Sequence, residues 1–185
     1  DAPAAAALVV QHPRNYGLAE AFRTEMAQCL KLGVDVIVHT DADGQYRAQD
    51  IPLLLQKIDK GYDLVLGSRF LGTIESMPWI KRWGNRAFSR VISNITGMKI
   101  TDAQTGFRAF RKDVAAIPII SNHTYTQEQV IRAVQEKFRV VEVPVHFAVR
   151  KGDQKSRLIK NPFEYATKAW INILRIYRDY KPLKF

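Results

Sequence analysis

Two short, unbroken apolar runs limit what this chain can fold into. The β-branched Val36-Ile37-Val38 within Val34–Thr40 and the apolar Leu64-Val65-Leu66 within Asp63–Gly67 are bounded by glycine or polar residues, so both segments read as buried strands. The segments around them carry helical spacing. Leu18–Leu32 reads as a helix closed by Gly33, after a turn marked by Asn15 and Gly17. A second helix starts at an Asp50 N-cap with Pro52 in its first turn and ends near Lys60 and Gly61. Leu8–His12 reads as a further short strand. Strands alternating with helices predict an α/β protein built on a mostly parallel sheet.

Further along, Phe70–Met77 reads as a polar loop and Pro78–Thr96 as a helix. Ile100–Arg111 is a loop leading into a strand, Gln127–Lys137 a helix and Arg139–Val149 an alternating strand. Residues 150–160 form a basic loop, and Asn161-Pro162 opens a last helix to about Tyr180. That helix puts Phe163, Ala166, Trp170, Ile173, Leu174 and Tyr177 near one stripe. Residues 1–160 therefore form one unit and 161–185 an amphipathic helix suited to a membrane interface. An ordinary helix packed on the sheet is the other reading.

The first run ends in Asp41-Ala42-Asp43-Gly44-Gln45. On an extended chain, Asp41 and Asp43 share one face and repel unless a cation sits between them. A hard divalent ion with positions left open for phosphate fits such oxygen donors. Turn chemistry accounts equally well for an Asp-x-Asp-Gly sequence. An EF-hand is excluded, because the third ligand before the glycine and the later glutamate are missing.

The net charge of +10 is uneven. Ten Lys or Arg residues face three acids over residues 150–185, and Arg69, Lys81, Arg82, Arg86 and Arg90 form a second basic group. Such fields suit a polyanion, an acidic lipid surface or a phosphorylated substrate. Nucleic acid is disfavoured, since no RNA- or DNA-binding module is recognisable. The single cysteine, Cys29, excludes a disulfide framework and a thiolate cluster. His12, His39, His123 and His146 share no zinc spacing. His39 reads as a satisfied core residue and Trp79/Trp83 as packing, with lipid contact as the alternative. Arg108 reads as a partner for a surface acid. No apolar run reaches the ~18 residues of a membrane-spanning helix, and Asp1–Ala7 makes a poor signal peptide.

Several separated stretches together resemble the inverting family 2 glycosyltransferases of the GT-A fold, in particular the polyprenyl- or dolichyl-phosphate mannosyl- and glucosyltransferases. They are Asn15-Tyr16-Gly17, Asp41–Gln45, Gly67-Ser68-Arg69, Asp102–Arg108, Tyr125–Glu128, Val141–Val145 and Lys155–Leu158. The resemblance implies a GT-A, Rossmann-like sheet flanked by helices. It also implies strands and an acidic nucleotide-gripping turn upstream of Leu8, and membrane helices downstream.

Carried onto these positions, Asp41 would face the nucleotide sugar, and Asp43 with Gln45 would hold Mg²⁺ or Mn²⁺. Arg69 and Arg90 would bind the acceptor phosphate. Asp102 would lie beside the sugar as an orienting or base-like carboxylate, with Gln104 at the substrate, and Ser156 and Arg157 would close over the diphosphate. The expected partners are a nucleotide diphosphate sugar, a polyprenyl phosphate and the cytoplasmic face of a membrane. A hydroxyl acceptor is the alternative and would demand a true base from Asp102 or Glu128.

Overall fold

A computed structural model describes residues 7–121 and 124–150, together with the helical positions Ile171, Arg175 and Arg178. The expected C-terminal stripe, Ser156 and Arg157 lie outside the described residues. Four strands, β1 (Val36–His39), β2 (Leu64–Ile74), β3 (Arg108–Arg111) and β4 (Val140–Phe147), form one sheet in the order β1-β3-β2-β4. The longer helices are α1 (Leu18–Lys31), α2 (Ile51–Asp59), α3 (Trp79–Thr96) and α5 (Thr126–Gln135); α4 (Lys112–Ala115) is a single turn.

Side-chain alternation along the strands divides the core between the two sheet faces. Leu64 and Leu66 of β2 and Phe110 of β3 join Phe22, Met26, Ile92 and Tyr125 in one cluster. The intervening Val65 and Ala109 point the other way, to Leu54 and Ile58 of α2. Phe22 and Tyr125 stack with ring centroids 3.8 Å apart, fixing α1 against the start of α5.

The sheet departs from the parallel expectation in one strand. β2 and β4 pair in parallel, whereas β3 pairs antiparallel to both β1 and β2. His39 and Leu66 both stand opposite Arg108. β3 therefore begins where β1 ends and where β2 runs on past Leu66, and the loop that feeds it is delivered to that edge. The overall α/β arrangement is consistent with the GT-A expectation.

Three local expectations are corrected. Leu8–His12 is not a strand: Leu8, Val9 and Val10 are exposed, and the segment is tied to α1 by a 3.0 Å hydrogen bond between His12 Nε2 and Thr24 Oγ1 instead of by a strand partner. Residues 70–74 are not loop. β2 resumes pairing with β4 beyond a bulge, at Thr73↔His146 and Ile74↔Phe147. Asp50 stands at the N-cap position of α2 as expected, but its side chain does not cap the helix; a 3₁₀ turn at Ala48–Asp50 leads in, and the Asp50 carboxylate accepts the His146 backbone N–H at 2.8 Å.

At the bulge, a Cβ on Gly72 would lie 2.0 Å from the Val145 carbonyl oxygen and 2.6 Å from its nitrogen. Backbone cannot yield as a side chain can, so Gly72→Ala is expected to cost about 2–3 kcal/mol. A urea denaturation curve checks this, and an unchanged midpoint would contradict the bulge geometry.

Candidate active site

The strand directions bring chemically active residues to one sheet edge. β1 ends at His39, two residues before Asp41, so strand alternation does not align Asp41 with Asp43. A turn sets the place of Asp43 instead. Gly44 takes φ 72°, and Asp43 Oδ1 accepts the Gln45 N–H at 3.1 Å. Asp43 thus performs turn chemistry with one oxygen, while the other, Oδ2, faces the site and accepts a charged donor. Asp41 is exposed and faces Gly106, where an added Cβ would stand 2.5 Å from Asp41 Oδ2. Gly106 is a glycine because the 102–106 loop passes close against that carboxylate.

From β2, Arg69 meets Asp102 in a buried fork. Its Nε donates to Oδ2 at 2.6 Å, its Nη2 to Oδ1 at 2.8 Å and its backbone N–H to Oδ2 at 3.0 Å. Asp102 is fully buried and Arg69 is 5% exposed. The ion pair holds the Arg69 guanidinium above its ordinary pKa, against the opposing effect of burial. The guanidinium also lies over the Phe147 ring, 5.2 Å from its centroid.

The Asp102 loop is fixed from two sides. Glu142, on β4, accepts the Thr101 N–H at 2.8 Å, the Thr101 hydroxyl at 2.9 Å and the Asp102 N–H at 2.8 Å. Burial pushes its carboxyl up despite these donors. Arg108 is not the surface partner expected of it. It is fully buried and donates to the carbonyls of Thr105, Ala103 and Thr126. Its burial lowers its pKa. Tyr46 stacks on Phe107 and shares a 3.2 Å hydrogen bond with Thr105, and burial pushes its hydroxyl up to about 12. His39 is a core residue as expected, its ring bonded to the Gly106 carbonyl at 2.7 Å.

Two cations complete the edge. Arg150, just beyond β4, donates from Nη2 to Asp43 Oδ2 at 2.6 Å and to Gln45 Oε1 at 3.3 Å. Lys81, on α3, is half-buried. Burial, then the like charges of Arg69 and Arg150, pull its ammonium below the usual lysine range, while Asp43 and Asp41 oppose them. The charges of both arginines and both aspartates thus reach Lys81.

Asp41, Asp43, Gln45, Arg69, Asp102 and the half-buried Gln104 thus belong to one edge. Arg90 does not touch it directly. It lines an adjoining groove of about 700 Å³ with Phe70, Arg86, Lys99 and Thr101. Phe70 links the two, with Arg69 5.9 Å and Arg86 5.1 Å from its ring centroid. Sequence reasoning missed Lys81, Arg150 and Glu142 as members of the site. A carboxylate interrupting the valines of β4 was the signal for Glu142. Lys81 and Arg150 were visible only as members of basic groups. The packing expected of Trp79 and Trp83 is also corrected: they are 74% and 73% exposed.

Asp41, Asp43 and Gln45 offer hard oxygen atoms of the kind Mg²⁺ and Mn²⁺ accept. Among the described residues no group of three or more His, Cys, Asp or Glu gathers to hold a metal ion. A cation here would need oxygen atoms from the substrate as well. That fits a diphosphate, and the Arg150 nitrogen already resting between Asp43 and Gln45 marks a place that accepts positive charge.

The glycosyl transferase family 2 model matches residues 6–116. A dolichyl-phosphate hexose transferase of Haloferax volcanii is 34% identical over 81% of this chain and 64% of its own length. A polyprenol monophosphomannose synthase of Mycolicibacterium smegmatis is 29% identical over 77% of this chain and 57% of its own. A UDP-N-acetylglucosamine–dolichyl-phosphate N-acetylglucosaminyltransferase of Methanococcus voltae is 32% identical over 75% of this chain and 58% of its own. The chain thus spans less than two thirds of these curated relatives. With the model match covering more than half of its residues, the chain belongs to glycosyl transferase family 2.

Proposed function

We propose that the protein transfers a hexose, mannose or glucose, from a nucleotide diphosphate sugar to a polyprenyl phosphate with inversion, at the cytoplasmic face of a membrane. The carrying observation is the state of the carboxylates. Both oxygens of Asp102 are engaged by Arg69. Both oxygens of Glu128 are engaged too, by the Ile120 and Ser121 N–H groups and by Arg132. A hydroxyl acceptor needs a base within reach of its proton, and these two carboxylates are committed elsewhere. A phosphate acceptor arrives as an anion and needs positioning instead. The relatives named for dolichyl phosphate and polyprenol support the same acceptor class.

Asp43 and Gln45, with Asp41, would hold Mg²⁺ or Mn²⁺, which when bound would offset negative charge on the diphosphate. The remaining work falls to this chain. Asp41 orients the sugar. Lys81 adds fixed positive charge where the leaving group gains electrons. Because Asp102 balances the charge of Arg69, that arginine contributes direction more than net attraction. Arg86 and Arg90 supply the attraction, drawing the acceptor phosphate along the groove beside Phe70.

Among the described residues no helix is long and apolar enough to cross a membrane. The start of α3 nonetheless exposes Trp79, Ile80 and Trp83 beside Arg82 and Arg86, a combination suited to lipid headgroups.

The test is transfer of radiolabelled hexose by the complete protein, offered polyprenyl phosphate and the corresponding free polyprenol in parallel. Label is expected in the phosphate-linked lipid and to disappear with EDTA. Label in hydroxyl acceptors, with polyprenyl phosphate ignored, would overturn the reading.

A further inference from the structure

We propose that Arg150 is the built-in counter-cation of the site, and that a divalent ion binds only by displacing it. The inference rests on the reading of Asp43 and Gln45 as cation ligands. One nitrogen, Arg150 Nη2, touches both Asp43 Oδ2 and Gln45 Oε1, at 2.6 and 3.3 Å. Those are the two oxygens an ion would share. A divalent ion takes such oxygens at ~2.0–2.6 Å. It cannot do so while an N–H donor points at the same lone pairs and a second positive charge sits against it. Occupation by guanidinium and by metal is therefore mutually exclusive.

The surrounding structure lets the side chain move while its backbone stays. Gln45 Nε2 donates to the Ala148 carbonyl at 3.1 Å, and the Ala148 N–H donates to the Gln45 carbonyl at 2.9 Å. The Val149 N–H donates to Glu75 at 3.0 Å. The chain entering Arg150 is thus pinned to the Asp43–Gln45 turn and to the end of β2. Arg150 Nε, by contrast, is buried with no hydrogen-bond partner among the described residues, so the resting position leaves that donor unsatisfied by them. An anionic diphosphate beside the ion would offer acceptors to the whole guanidinium. The exchange leaves Asp43 neutralised at every stage, by arginine before substrate arrives and by the ion afterwards. By linkage, the empty protein holds metal weakly and the diphosphate strengthens that hold.

The test is a titration of the complete protein with Mn²⁺ alone, free ion being followed by electron paramagnetic resonance. Arg150→Gln is expected to tighten Mn²⁺ binding about tenfold, the scale of one lost charge-assisted hydrogen bond. Arg150→Lys, which keeps the charge but not the reach of the fork, should fall between that variant and the wild type. Lys81→Gln removes equal charge from the same space without freeing Asp43 or Gln45, and should change affinity less than threefold. Adding Asp43→Asn to Arg150→Gln should abolish the gain. Unchanged or weaker binding in Arg150→Gln would overturn the proposal, as would an equal gain in Lys81→Gln, which would reduce the effect to general charge. Absence of Mn²⁺ binding in every variant would overturn the cation-ligand reading along with it.

Discussion

Asp102→Ala is expected to destabilise the protein by about 3–5 kcal/mol, the cost of stranding a buried charge, and to abolish sugar transfer. The substitution removes the three hydrogen bonds that Arg69 donates to that carboxylate and leaves a 5% exposed arginine with no counter-charge. Against a typical total stability of roughly 5–15 kcal/mol, this is a large fraction. Urea unfolding measures it. The double substitution Arg69→Met with Asp102→Leu should recover much of the loss, since an apolar pair needs no charge balance. It should not recover transfer. If Asp102→Ala unfolds at the wild-type midpoint, the fork does not hold this loop. If the apolar pair transfers sugar normally, the fork does not serve the reaction.

Gly106→Ala is expected to lower activity while leaving stability near wild type. The new methyl would stand 2.5 Å from Oδ2, 3.0 Å from Cγ and 3.1 Å from Oδ1 of Asp41. Asp41 is exposed and can swing away, so the fold yields at a side chain and not at backbone. A carboxylate displaced by an ångström from its working position costs on the order of a hundredfold in kcat/KM. The urea midpoint should stay near wild type. Full activity in Gly106→Ala would show that the resting position of Asp41 is unimportant.

These two expectations rest on features that differ in how far sequence reveals them. Asp41 and Asp43 are legible because a β-branched run and an Asp-x-Asp-Gly turn are local signals, and local signals also place α1, α2, α3, α5 and β4. Their convergence is legible only as end-of-strand placement. The mechanism that joins them, a turn closed by the Gln45 N–H and flanked by Lys81, is not. Asp102 is legible as a candidate, but its engagement with Arg69 depends on β3 running antiparallel between β1 and β2, a non-local choice that no periodicity records.

Arg108 illustrates the same limit. An arginine followed by Ala-Phe reads as a surface residue, yet it is buried because three carbonyls of the neighbouring loop and helix need its donors. The extension of β2 through Ile74 was missed for a related reason. The partner that converts a polar stretch into strand lies some seventy residues away on β4. Trp79 and Trp83 carry helical spacing that suits packing equally well. Only the position of α3, with its first turn beyond the sheet, leaves them exposed.

A crystal structure of the protein soaked with a nucleoside diphosphate and Mn²⁺ would probe the shared edge most directly. An anomalous peak is expected ~2.0–2.6 Å from oxygens of Asp43, Gln45 and the diphosphate, with Arg150 released from Asp43 and Lys81 and Arg69 beside the phosphates. A nucleotide bound elsewhere, with Arg150 still seated on Asp43 and Gln45, would contradict the assignment of this edge as the place where sugar leaves its nucleotide.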